Sequence, residues 1–309
     1  MTVWSKNRGV SDKAKTASTW SRQEKRFPYL ALLPALLLIV FVGILPNIYT
    51  LILSLQEYEL TSPPATYVGI NNYADLILNN PRYVRALIFT VVFAVAATTL
   101  ELAYGFFIAY LLADQEVSHG YSSLIRTLLM LPFVAPPVVV SYIFKTLIYD
   151  PTFGYLNYFL GLLQWPIFNM YEGAIRAPIA ILVMEVILRT PFIVIVLYAG
   201  ISSIDPTILD AAKIDGASRV HEITKIILPV IAPVIVVAYV LRFVDALKMF
   251  DEIYVVTGGG PGFVTENVSL YATSEAFVYF HMGYAAASAF LFLLLIMILV
   301  SGFMRVFKF

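Results

Sequence analysis

The chain has 309 residues, of which 60% are apolar or aromatic and 13% charged, against roughly 25% charged in a soluble domain. A water-soluble globule of this size has no interior large enough for that much apolar side chain. Soluble enzymes, nucleic-acid binders and disordered chains are therefore excluded. Lys plus Arg equals Asp plus Glu, 20 each, and there is no Cys, which removes disulfide frameworks, thiolate metal sites and a cysteine nucleophile.

Residues 1–28 form a polar tail with seven basic residues: Lys6, Arg8, Lys13, Lys15, Arg22, Lys25 and Arg26. Apolar stretches of the length a bilayer demands, about 20 residues as helix, then follow at 29–55, 86–112, 124–148, 178–201, 229–256 and 282–307. The first exceeds a signal-peptide apolar region and precedes no small-residue cleavage pattern, so it reads as a retained span. Four of the six contain proline, which membrane helices tolerate when neighbours satisfy the freed carbonyls. The expected fold is all-α, a polytopic membrane protein of six transmembrane helices.

The second span holds Glu101, with Lys145 or another base across a helix interface as its expected partner. The fourth holds Glu185 and Arg189 at i, i+4, the favourable order for a pair. The fifth holds Arg242, Asp245, Lys248, Asp251 and Glu252. Spaced by three and four residues, these predict a nearly continuous polar stripe along one helix. A charge near the bilayer centre costs from ~3 kcal/mol upward, so the stripe must face protein or water. Internal pairing and the lining of a solute route are the two readings. The last span opens with Gly283, Ala285, Ala286, Ala287, Ser288 and Ala289, small residues that permit close helix approach.

Basic residues set orientation. The tail, the segments near 114–123 and 202–228, the C-terminus and Arg126 hold 13 Lys and Arg together. The opposite side holds Arg82, with Arg85 and Arg176 at span borders. Both termini are expected in the cytoplasm, and the 202–229 loop with them.

That loop is organised. Asp205 suits a helix N-cap and Pro206 the first helical position. Gly216 suits a left-handed residue that ends the helix, and Ser218 a second cap. Val220, Ile223 and Ile227 fall at i, i+3, i+7, one apolar face of the second helix. A helical hairpin with apolar groups outside lipid needs a protein surface, either its own spans or a partner. No phosphate-cradling G-x-x-x-x-G-K-[ST], no H-E-x-x-H and no G-x-S-x-G occurs. His119, His221 and His281 lie far apart. Asn267-Val268-Ser269 fits a glycosylation sequon, a match short enough to arise by chance.

The run Asp210-Ala211-Ala212, three residues, Gly216, nine residues, Ile226-x-Leu228-Pro229 resembles the EAA loop of ABC-importer permeases, with Asp for the usual Glu. The run from Phe250 to Pro261, F-D-E-I-Y-V-V-T-G-G-G-P, resembles the end of the fifth span in MalF-like sugar permeases. The resemblance extends over 29–309. It implies a type I ABC importer in a prokaryotic cytoplasmic (inner) membrane. It also implies a second, MalG-like permease, a dimer of ATP-binding ABC ATPases, an extracytoplasmic solute-binding protein and a sugar-like solute. ATP and Mg would sit on the ATPase partner; no cofactor is expected on this chain, and it would not be an enzyme. Asp210, Ala211, Ala212, Gly216, Ile226, Leu228 and Pro229 would belong to the ATPase-coupling element. The family's sugar contacts fall here on Glu185, Arg189, Phe192, Arg242, Ala246 and Met249. Three of these are charged where the maltose-type pattern has small, amide or aromatic groups, which leaves a different sugar or a polyol phosphate open. Arg189 and Arg242 would suit an anionic group, since arginine donates bidentately to phosphate or carboxylate. An ion-coupled transporter acting alone and an intramembrane enzyme are the competing classes; only the importer requires an apolar-faced hairpin at 205–229.

Overall fold

The computed structural model describes residues 22–62, 64–114 and 118–306. Most of the basic tail, residues 1–21, lies outside them. The chain divides into two compact units, 1–52 and 53–309. The first holds α1 (Arg22–Leu38), which runs through a π-helical turn, Ile39–Ile44, into α2 (Leu45–Ser54), whose last two residues fall past the boundary. Helix thus begins inside the segment read from sequence as tail.

The second unit is built on α4 (Pro81–Ala113), α8 (Arg176–Ser202), α11 (Leu228–Leu247) and α14 (Met282–Val306). A two-stranded antiparallel ribbon, β1 (Gln56–Glu57) with β2 (Thr66–Tyr67), and α3 (Asn71–Leu78) lead into α4. Asn80 caps α4, its side chain accepting from the Tyr83 amide at 2.9 Å, and Pro81 takes the first position. The α4–α8 pair is the most extensive helix contact in the unit. Gly105 makes it possible: a Cβ there would overlap the side chain of Ile193 on α8.

Among the described residues five helices are long and apolar enough to cross a bilayer, six if one bent pair counts as a single span. Four of the predicted spans persist with shifted ends. The third is not one rod. Its halves, α5 (His119–Val134) and α6 (Pro137–Ile143) continuing to Ile148, are bent by 94°. Ala135 and Pro136 are both extended, with ψ 143° and 132°, because a residue before proline is pushed out of the helical region. The fifth span is also interrupted. α11 stops at Leu247 and α12 (Asp251–Val256) starts after three residues. The Asn267 side chain donates to the Met249 carbonyl in that gap, supplying the partner that a continuous helix would have supplied.

Between the spans lie α7 (Tyr155–Leu162), α9 (Pro206–Ile214), α10 (Arg219–Glu222) and α13 (Val268–Phe277). Asn267 is 2% exposed and also caps α13, so its side chain is structural and the sequon is a chance match. At the α4 N-terminal end, Arg82 pairs with Glu266 at 2.6 Å and lies 4.3 Å over the Phe263 ring. Among the described residues, buried apolar groups form three clusters, around Phe243 and Tyr271, around Met184 and Ile253, and around Leu197 and Ile227.

Candidate functional site

Two regions gather the residues singled out from sequence. The first is a set of ion pairs between α4, α8, α11 and α12. Arg242 on α11 donates from Nε and Nη2 to the two carboxylate oxygens of Glu101, at 2.8 and 3.0 Å, and from Nη2 to Glu185 Oε1 at 2.9 Å. Arg242, Glu101 and Glu185 are all buried. One helical turn beyond Glu185, Arg189 donates from Nη2 to Glu252 at 2.6 Å and has Nε 3.7 Å from Glu185. At the margin, Asp245 approaches Arg242 at 3.6 Å and Lys248 at 3.7 Å. Four carboxylates thus surround three cations.

This arrangement corrects the stripe read from sequence. Among the described residues no ion pair joins Lys248 to Asp251 or Glu252, because the helix ends at Leu247 and their phase is lost. Glu252 instead turns to α8. Glu101 does not pair with Lys145, whose Nζ donates to the Val255 carbonyl at 2.9 Å. The i, i+4 pair of Glu185 and Arg189 persists, but each makes its shorter contact with a different helix.

A cavity of about 320 Å³ opens beside the cluster, lined by Glu185, Arg189, Arg242 and Met249 of the predicted route. Phe192 and Ala246 are not on it. Phe192 stacks on Phe133 with ring centroids 6.0 Å apart, and Ala246 is packed beside Phe243. Asp245, Lys248, Asp251 and Glu252 of the polar stripe line it too, as one of the two readings of that stripe allowed, while Pro137 and Phe250 were not foreseen as lining groups. The charge of the stripe inside an apolar run was the available signal; the side each group faces was not.

The second region is the hairpin 205–229. The Asp205 side chain accepts from the Thr207 amide at 2.9 Å and from its hydroxyl at 2.8 Å. These donors hold its carboxyl below the usual range, since hydrogen bonds favour the charged form. At the other end of α9 the Ala217 amide bonds to the Ala212 carbonyl at 2.9 Å and the Gly216 amide to Lys213 at 3.1 Å. That is a Schellman closure, with Gly216 at φ +77° as its left-handed residue. Ser218 caps α10, accepting from the His221 amide. A π-helical segment, Ile223–Ile227, then carries the chain into α11, with Ile226 half-buried and Leu228 and Pro229 opening the span.

That π segment changes the apolar face. The extra residue per turn rotates Val220 away from Ile227: Val220 is 70% exposed, Ile227 1%. Leu209, Ile223 and Ile227 pack with Ala109 and Leu112 of α4. On the outside lie Ile208, Ile214 and Val220, Ile214 at 86% exposure, together with Asp210 and Ala211; Ala212 is half-buried. Arg219 ties the hairpin to the α4 C-terminus through Asp114 at 3.0 Å.

Residues 101–308 match the family model for the binding-protein-dependent transport system inner membrane component. The trehalose/maltose transport system permease protein MalF of Thermococcus litoralis is 33% identical over 278 residues, covering 90% of this chain and 91% of that one. The trehalose transport system permease protein SugA of Mycobacterium tuberculosis is 33% identical over 265 residues, 85% and 83% of the two chains. In fold, the chain is similar to one in the crystal structure of a bacterial alginate ABC transporter in complex with its alginate pentasaccharide-bound periplasmic protein. The TM-score is 0.78 at 20% identity, over 93% of this chain and 96% of that one.

Proposed function

The chain belongs to the family of binding-protein-dependent transport system inner membrane components, and on that premise we propose that it is one of two permease subunits of a sugar ABC importer, the MalF-like one. Its relatives carry trehalose and maltose in their names, which favours a disaccharide-sized, polyhydroxylated solute. The second subunit is MalG-like, a dimer of ATPases holds ATP and Mg, and an extracytoplasmic protein delivers the solute. Both termini and the hairpin face the cytoplasm, in agreement with the distribution of Lys and Arg.

The observation that carries the coupling role is the two-sided hairpin. Its inner face is fastened to α4 and α11 through Leu209 and Ile227. Its outer face presents Ile208, Ile214 and Val220 as exposed apolar groups among the described residues. A lever needs both: a fixed inner side that transmits displacement to the spans, and an apolar outer side that a motor protein buries. The coupling residues are Asp210, Ala211, Ala212 and Gly216, with Ile226, Leu228 and Pro229 at the root. The solute route lies along α8 and α11, beside Glu185, Arg189, Arg242 and Met249.

The test is reconstitution of the assembled transporter in vesicles with binding protein and candidate sugars. ATP-dependent uptake, and a crosslink from a cysteine placed at Ile214 to the ATPase, are expected. Uptake by the purified chain alone, driven by an ion gradient without ATPase, would sink the proposal and favour the secondary-transporter reading.

A further inference from the structure

Resting on the orientation proposed above, we infer that α7 and the turn after it, residues 155–167, lie in the outer leaflet, at the boundary between headgroups and acyl chains, as a lipid anchor separate from the spans. Residues 151–171 contain no Lys, Arg, Asp or Glu, and seven of the 21 are aromatic, against 15% in the whole chain. A helix on a water-facing surface turns its apolar side inward and its polar side outward. α7 does not. Leu156, Asn157 and Leu160 are half-buried, while Tyr155, Tyr158, Phe159 and Leu162, at i, i+3, i+4 and i+7, are exposed together with Trp165 and Ile167. Apolar groups gathered in this way mark a surface that something covers.

The segment is braced against the protein at a defined depth. Asn157 accepts from the Phe168 amide at 2.7 Å and donates to the Phe168 and Asp150 carbonyls at 2.9 and 3.1 Å. Leu156 and Phe168 pack on the buried cluster that holds Tyr149 and Met184. The Tyr149 hydroxyl donates to the Ala180 carbonyl at 2.8 Å, and the Tyr171 hydroxyl to the Val256 carbonyl at 3.2 Å. α8 has 27 residues, a length of about 40 Å against a hydrocarbon core of about 30 Å. Centred on the bilayer, it extends about one turn beyond the core at each end, which puts Ala180, and Tyr149 with it, at the boundary. The exposed pair of Glu172 and Arg176 marks the aqueous margin. Trp and Tyr gather at this depth because the ring lies among acyl chains while its N–H or O–H stays wet. A protein partner would bring a polar rim that needs matching groups, and beyond two Tyr hydroxyls and Gln164 the exposed side chains of 155–167 offer none. With no Lys or Arg there, the anchor needs no anionic headgroup.

The chain has no cysteine, so one nitroxide label can be placed on it, through Leu162→Cys or Glu172→Cys, in the transporter assembled with cysteine-free partner subunits in vesicles of phosphatidylcholine and phosphatidylglycerol. Leu162 is 65% exposed, so the label displaces no packing. Molecular oxygen, which concentrates among acyl chains, should relax the label at 162 more strongly than a water-soluble nickel chelate does; at 172 the order should reverse. Binding protein with a candidate sugar should change neither. Stronger relaxation by the chelate at 162 would put α7 in water. Protection from both reagents would put it against another subunit, and protection on adding binding protein would make it a docking face. Each of these overturns the inference and leaves the importer reading standing. In spheroplasts, the thiol of the Glu172→Cys variant should react with a membrane-impermeant maleimide from outside. Reaction only after lysis would overturn the orientation, and the outer leaflet with it, whatever depth is measured at 162.

Discussion

The ion pairs around Arg242 and the hairpin at 205–229 are both rich in charge, yet they are held by opposite means. Arg242 is 3% exposed, and its partners lie 141 and 57 residues away in the chain. Each of those groups has given up water and depends on the others to replace it. In the hairpin, Asp205, Lys213 and Ser218 bond to groups two or three residues away, and all three are exposed. Removing a cation from the first region strands a buried carboxylate. Removing one from the second admits water. A cluster of the first kind fixes how helices cross; an element of the second kind keeps its own shape while the helices beneath it move.

The sharpest way to break this contrast is at Arg242. Arg242→Met leaves Glu101 buried without its cation and Glu185 with only Arg189, at 3.7 Å, and should cost about 3–5 kcal/mol, read as a loss in thermal unfolding of the detergent-solubilised chain. Adding Glu101→Gln should recover part of that loss, since it removes one stranded charge. A loss below about 1 kcal/mol, the range of exposed pairs, would mean that water reaches the cluster.

A smaller effect is expected at Gly216. With φ at +77° and nothing within 4 Å of a Cβ built there, the penalty for Gly216→Val is one of backbone conformation and not of crowding, roughly 1–2 kcal/mol. Gly216→Asn should cost less, because asparagine visits the left-handed region. Limited proteolysis of 205–229 and coupled uptake report the difference; equal behaviour of the two variants would point to a steric role that the surroundings do not suggest.

Asp205 sharpens the contrast through pH. Its folded carboxyl lies below the usual carboxylate range because Thr207 donates to it twice. Its contribution is therefore present above the unfolded value and disappears as pH falls through the lower, folded one. Amide exchange in α9 should accelerate across that acidic window in the wild type, while Asp205→Ala should exchange fast throughout and show no such step.

The smallest effect belongs to Arg219, whose side chain is 53% exposed in its pair with Asp114. Arg219→Ala should change stability by less than about 1 kcal/mol, and the change should shrink further with added salt. A salt-independent loss would show that the pair is drier than its exposure indicates.

The sequence by itself determined whatever is decided within a few residues. Span positions follow from runs of apolar residues, and the caps at Asp205, Gly216 and Ser218 follow from groups that satisfy the backbone locally. The spacing that led to the permease family rests on the same short-range chemistry. Tertiary structure alone decided which carboxylates Arg242 meets, because helices that pair across 57 or 141 residues leave no trace in local spacing. It also decided the break after Leu247, where Asn267, 18 residues further on, takes the Met249 carbonyl, and that break carried Glu252 to Arg189. The same holds for Phe192 and Ala246, which packing drew into apolar clusters, and for Val220, turned outward by one extra residue in a π turn. A helical period specifies a face only while the helix is unbroken and regular; where it breaks or widens, the neighbours that supply the missing contacts choose the direction.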